Sequence, residues 1–325
     1  MNPVRGPRQP RGPVLVFANP ADPITAGFAR FAADRGLVVW QPEQVEDVAW
    51  SFHLEGSGRS LEIADRRSGQ LWTAEDLAGI WYQSLPPVAG REDLSERDWR
   101  YVAAELGGAT RVIWNEAPCP VVGQPPAACP SGIFDLGLES RIQLRRLGLP
   151  VLRDWVGTLA RLQTALRATA MEQVRVTCFA DSRTFWLSDL FTATSGDDHP
   201  GAPWQKFADE PLAATVTDGR SSRIAVYVDG EILVVEVGCD GLPRLASVDD
   251  DTREIERVVQ RVRKLTSTRV GITYLGHHTG RWQLARVSLQ IPYWLADLIT
   301  PWLFPRLFTI FSDAGPEPFD ARQPR

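Results

Sequence analysis

Cysteine is scarce in this chain, and a basic excess, a dinucleotide fingerprint and an unbroken apolar run are missing altogether. The four cysteines (Cys119, Cys129, Cys178 and Cys239) include no CxxC pair, and no histidine lies close to any of them. That removes a sequence-readable structural zinc site. Cys119 and Cys129 each precede a proline in one loop, which leaves a disulfide open. A chain that is 44% hydrophobic has enough ordinary core not to need one. The setting read from this is reduced and cytoplasmic. Lys and Arg number 35 against 40 Asp and Glu, a net charge of −5. The basic footprint of a nucleic-acid binder is therefore lacking, and no nucleic-acid partner is expected. The opening residues MNPVRGPRQPRGP carry cations without the apolar centre of a signal peptide, so residues 1–12 read as a flexible tail. The most apolar stretch, Leu289 to Phe311, is interrupted by Pro292, Pro301 and Pro305 and charged by Asp297 and Arg306. It predicts a buried C-terminal helix rather than a transmembrane span, with a partner or membrane-surface contact left open.

At 325 residues the chain is long enough for two or three packed subdomains. Val14 to Ala18, a helical pattern from Ile24 to Arg35 and the apolar Leu37 to Trp40 read as strand, helix, strand. That order implies a parallel, right-handed crossover. No GxGxxG accompanies it, so the Rossmann-like start carries no dinucleotide signature. Two alternating segments flank Gly56-Ser57-Gly58 as a hairpin. A strand at Leu77 to Tyr82, a helix at Leu94 to Leu106 and a strand at Arg111 to Asn115 follow. Beyond the Pro- and Gly-rich loop at 116–131 come a helix ending at Gly148-Leu149-Pro150, a strand at Arg153 to Thr158 and a helix at Leu159 to Ala170. Hairpins are then predicted at Val174 to Leu187 and, around an Asp229-Gly230 turn, at Ser222 to Val237. A charged helix spans Asp249 to Leu265. Asp197-Asp198-His199 has the residue types of a metal site, but it sits in a polar loop and reads as solvated surface.

The last hairpin organises the rest. Arg269 to Phe311 reads as a strand to Leu275, a turn at His277-His278-Thr279-Gly280, a return strand from Trp282 to Leu289, and a helix over about Tyr293 to Ile299. With the run Gly79-Ile80-Trp81-Tyr82-Gln83-Ser84-Leu85-Pro86, the strand Val112-Ile113-Trp114-Asn115, the passage Arg146-Leu147-Gly148-Leu149-Pro150-Val151-Leu152-Arg153 and the strand Ser222 to Gly230, this order resembles the ATP-grasp superfamily. The nearest likeness is to the ATP-grasp peptide maturases of the microviridin and graspetide type. The resemblance implies an α+β and α/β chain with an ATP-grasp-like fold and an N-terminal Rossmann-like (pre-ATP-grasp) domain. The domains would be residues 13–118, a central subdomain at 131–205, a C-terminal subdomain at 206–312, and a tail at 313–325.

The resemblance also implies a chemistry, and the residues for it are missing. The family holds ATP phosphates with two lysines, and Mg²⁺ with an Asp, a Glu and an Asn on the last hairpin. Here the first lysine region reads Phe134-Asp135-Leu136-Gly137-Leu138, and the second offers only Arg175. The metal positions fall on Thr273, Arg286 and Ser288, and Val270 to Gln290 contains no Asp, Glu or Asn. A guanidinium in a dication site repels the ion. The reading is a catalytically degenerate protein of peptide-natural-product maturation, leaning against enzyme activity, with no cofactor. Its expected partners are a precursor peptide or an active ATP-grasp ligase, with a homodimer left open. Trp204 and Trp294 adjoin loops and are the candidate peptide contacts, whereas Trp81, Trp114 and Trp282 read as core. Two other readings stand beside it. An active ATP-dependent carboxylate–amine or carboxylate–alcohol ligase would take metal ligands from Glu231, Glu236, Asp240 or Asp249-Asp250-Asp251, and only then use ATP and Mg²⁺. Those last three acids read first as a helix start, where the helix dipole favours them. A metal-free anion or nucleotide site would be clamped by Arg175, Arg223 and Arg286.

Overall fold

The computed structural model describes residues 12–123 apart from 56–57, 85, 96–97, 100, 103–104, 107 and 109–116. Beyond these it describes 144–152, 154–157, 161, 174–178, 184–186, 212–216, 222–238, 242–266 and 268–313. They form two compact units, one from residues 1–134, 268–271 and 289–325, the other from 135–267 and 272–288. The chain thus leaves its first unit and returns to it for the last helix.

The first unit starts as the apolar pattern requires. Strand β1 (Val14–Phe17) is buried along its whole length, as a parallel strand covered on both faces must be. Helix α1 (Pro23–Ala33) is capped by Asp22, whose carboxylate accepts the N–H groups of Ile24 and Thr25 at 2.8 and 3.2 Å, with proline in its first turn. Strand β2 (Val39–Trp40) then pairs parallel with β1. Strands β3 (Val48–Glu55) and β4 (Gly58–Asp65) form the predicted hairpin, and β5 (Leu71–Thr73) widens it to three strands. Strand β6 (Gly79–Tyr82) lies parallel to β1, and β7 (Val121–Val122), too short for its pattern to show, completes the order β2-β1-β6-β7. Leu15, Phe17, Ile80 and Tyr82 share a core with Val48, Leu61 and Ile63.

The C-terminal segment departs from expectation. The structure has a turn of 3-10 helix at Tyr293–Leu295 and then one α-helix, α3 (Ala296–Asp313), running through both Pro301 and Pro305. The two prolines are four apart and both exposed, so the carbonyls that lose a partner lie on the solvent side. The opposite stripe, Leu295, Ile299, Leu303, Leu307 and Phe311, is completely buried. Phe304 and Phe311 meet Phe28 of α1 at ring-centroid distances of 5.8 and 5.9 Å. No helix among the described residues is long and apolar enough to cross a membrane.

The second unit contains two sheets. Strands β8 (Asp154–Gly157), β9 (Val174–Cys178), β10 (Thr184–Trp186) and β11 (Leu212–Val216) form an antiparallel sheet in the order β10-β9-β11-β8. The other has the order β14-β13-β12-β15-β16. It contains β12 (Ser222–Val228), β13 (Glu231–Val237), β14 (Pro243–Leu245), β15 (Val270–His278) and β16 (Arg281–Ser288). The β12–β13 turn is Asp229-Gly230, both with positive φ. The last hairpin turns on two residues, Thr279 (φ 53°) and Gly280 (φ 72°). His277 and His278 belong to strand β15 rather than to the predicted four-residue turn, because Trp282 and Arg281 are there to pair with them. The strand at 111–115, the helix at 159–170 and the Asp197-Asp198-His199 loop lie outside the described residues.

Candidate functional site

The five-stranded sheet has two faces, and its hydrogen-bond register divides the candidate residues between them. Helix α2 (Asp250–Thr266) covers one face. Its Ile255, Val258, Val259 and Val262 pack on Ala225, Tyr227, Val234, Leu275, Trp282, Leu284 and Val287. Thr273 is opposite Val287, so it belongs to this covered face, and its hydroxyl donates to the Ala225 carbonyl at 3.3 Å.

Arg223 alternates with Ala225 and Tyr227 and therefore points to the same side. It is buried, and its guanidinium makes two hydrogen bonds to the Asp249 carboxylate, both at 3.1 Å. Asp249 in turn accepts the backbone N–H of Thr252 at 2.7 Å, capping α2. The Arg223 guanidinium beside it, aided by that N–H, holds the Asp249 carboxyl well below the usual carboxylate range. Glu236 and Asp251 approach the same guanidinium at 3.8 and 3.9 Å, and the Trp282 ring lies 5.1 Å from its central carbon. The acids proposed as recruited metal ligands are here the counter-ions of one arginine and the start of a helix. Glu231 is exposed at the hairpin end, and Asp240 lies outside the described residues.

Arg286 and Ser288 sit on the other face. A bulge in β16 after Leu284 shifts the register, so that Tyr274 is opposite Arg286 and Ile272 is opposite Ser288. The Arg286 guanidinium lies over the Tyr274 ring at 5.4 Å. On β12 the residues of this face, Ile224, Val226 and Val228, are apolar and buried. The structure thus brings Arg286 and Ser288 together, adds Tyr274 and Ile272, and separates them from both Thr273 and Arg223. Arg175 lies on a different sheet, its backbone paired with Trp186 and Thr215. Trp294 is exposed in the first unit, next to exposed Tyr293, and Trp204 lies outside the described residues. Tyr274 was missed because the hairpin positions were assigned by likeness to the family's motifs, and no local pattern announces the bulge that sets Tyr274 opposite Arg286. Asp249 as a cap was legible, since Asp249 and Thr252 have the spacing of a capped first turn.

Solved structures with this architecture exist at low sequence identity. A RiPP-associated ATP-grasp ligase of Chryseobacterium gregarium, solved with ADP and a leader and core peptide, is 10% identical with a TM-score of 0.62, covering 93% of this chain and 97% of its own. The macrocyclase MdnC of Microcystis aeruginosa, bound to the precursor peptide MdnA, gives 9%, 0.64, 93% and 100%. The ligase PsnB, complexed with a precursor peptide and AMPPNP, gives 15%, 0.61, 92% and 98%. The chain has the ATP-grasp fold. No family model matches its sequence, and no curated protein does.

An ATP-grasp site is expected to hold Mg²⁺ and nucleotide phosphates, and the residues present do not fit the metal. A hard dication takes six oxygens, carboxylates first among them. On the face of the last hairpin that turns away from α2, the pairs Ile272–Ser288 and Tyr274–Arg286 offer an aliphatic chain, a hydroxyl, an aromatic ring and a cation, and Gln283, His278 and Arg281 nearer the turn add no carboxylate. Among the described residues, no three His, Cys, Asp or Glu side chains are gathered in a way that could hold a metal.

Proposed function

We propose that this chain is a catalytically degenerate ATP-grasp protein of peptide maturation, which binds a precursor peptide or an active partner ligase instead of turning over Mg-ATP. One observation carries the reading. The residues that share a face across the last hairpin, Ile272 with Ser288 and Tyr274 with Arg286, include no carboxylate and do include a guanidinium. A unit cation and a dication 4 Å apart repel by roughly 8 kcal/mol at an effective dielectric of 20. The peptide part of the reading draws on the fold, whose solved examples include ligases crystallised with precursor peptides. Of the candidate contacts, Trp294 has the exposure such a role needs.

Calorimetric titration with a non-hydrolysable ATP analogue, with and without Mg²⁺, tests the reading. The expected result is no heat that depends on Mg²⁺ up to millimolar nucleotide. Tight binding that requires Mg²⁺ would overturn it in favour of an active ligase with recruited ligands. Binding that ignores Mg²⁺ would instead point to a metal-free anion site around Arg286.

A further inference from the structure

We infer that the C-terminal half of α2, with the turn at Arg145–Gly148, is a docking surface for an extended acidic peptide segment; this rests on the peptide-binding reading above. Arg261 donates to the carbonyl oxygens of Leu147 and Gly148, at 3.4 and 3.0 Å, so the turn abuts the helix at that point. Arg257, Arg261 and Lys264 follow one another at i, i+4 and i+7 on an exposed face of α2, and the bonds of Arg261 set the turn that bears exposed Arg145 and Arg146 beside that face. Among the described residues none of the five makes an ion pair. Arg145 donates to the carbonyls of Val151 and Leu152, Arg257 to that of Arg253, and Arg261 to the turn. Each of these acceptors is neutral.

The magnitude matters because helix C-termini attract cations on their own account. The end of α2 at Thr266 is equivalent to roughly half a negative charge, which offsets only part of one of the five cations. About four remain, on a protein whose net charge is −5. The acids nearest on the same helix, Glu254 and Glu256, lie in its N-terminal half and pair with none of the five. Two leucines flank the patch, Leu147 at 56% exposure and Leu265 at 42%. Cations with interspersed apolar side chains favour a carboxylate-bearing peptide with leucine-like anchors, which a phosphate backbone would not supply.

The test is fluorescence anisotropy of a labelled 12-residue peptide alternating Glu or Asp with Leu, against its Gln/Asn counterpart. The wild type and the Arg257→Glu/Lys264→Glu variant are compared at low and moderate salt. Neither side chain contacts the packed core of α2, and circular dichroism checks that the variant folds. The acidic peptide should bind at least ten times more tightly than the neutral one, and the double variant should lose at least ten-fold. Salt should weaken binding, as expected for an exposed charged surface. Acidic-peptide binding that the variant leaves intact overturns the α2 surface while the peptide-binding reading survives. Absence of binding by either peptide counts against both. Equal competition by a polyphosphate would show a surface that reads charge alone and would overturn the peptide assignment.

Discussion

Arg223 shows how much a single side chain's role depends on its surroundings. As an exposed arginine at the mouth of a cleft it would be a phosphate ligand. Buried against α2 it is a structural cation with a bidentate carboxylate partner. Asp249 makes this measurable through pH. Its folded-state pKa is depressed, so its contribution is present above the ordinary carboxylate value, about 3.9, and is lost as pH falls below it. Urea unfolding at neutral pH should therefore find Asp249→Asn less stable than wild type, and the gap should begin to narrow below about pH 4 and go on shrinking as the pH falls further. A constant gap would mean the pair does not govern the site's titration. Cys119 provides a second check. Its thiol, partly buried against the core of the first unit, is pushed up to about 12 by burial. Iodoacetamide at pH 8.5 should modify Cys119 much more slowly in the native protein than in urea, as read by peptide mass spectrometry. Equal rates would mean the thiol is open to solvent.

At the scale of elements, the last hairpin and the last helix carry the decisions. The β16 bulge chooses which residues share a face with Arg286. Placing Asp at Tyr274, Glu at Arg286 and Asn at Ser288 should therefore create Mn²⁺ affinity at least ten-fold above wild type, detectable by electron paramagnetic resonance. The same Glu and Asn with Thr273→Asp should not. If the two sets bind equally, the register is wrong. Helix α3 is held by its buried stripe and by close approach at one glycine. A Cβ at Gly79 would strike the Phe311 ring and come within 2.9 Å of the Pro120 carbonyl oxygen. Gly79→Ala should cost about 1–3 kcal/mol in denaturant unfolding, the range of overpacked cores. Leu303→Ala, which leaves a cavity, should cost about 2–5 kcal/mol.

For the whole molecule, the sequence already determined most of the elements. Short β-branched and aromatic runs bounded by turn residues marked β12, β13, β15 and β16, because such side chains suit a pleated, buried strand wherever it lies. The Asp229-Gly230 turn and the acid-rich start of α2 at Asp249-Asp250-Asp251 were legible because such residues act on their own backbone neighbours. The missing carboxylates of Val270 to Gln290 were equally plain, since composition does not depend on folding. Tertiary structure decided the rest. It carried α3 through two prolines, which buried contacts outweighed, and returned that helix to the first unit. It shifted Tyr274 to face Arg286 through a bulge, and drew Arg223 to Asp249, which lies 26 positions further along the chain. Which charges meet depends on contacts between segments remote in sequence, and local patterning holds no information about those partners.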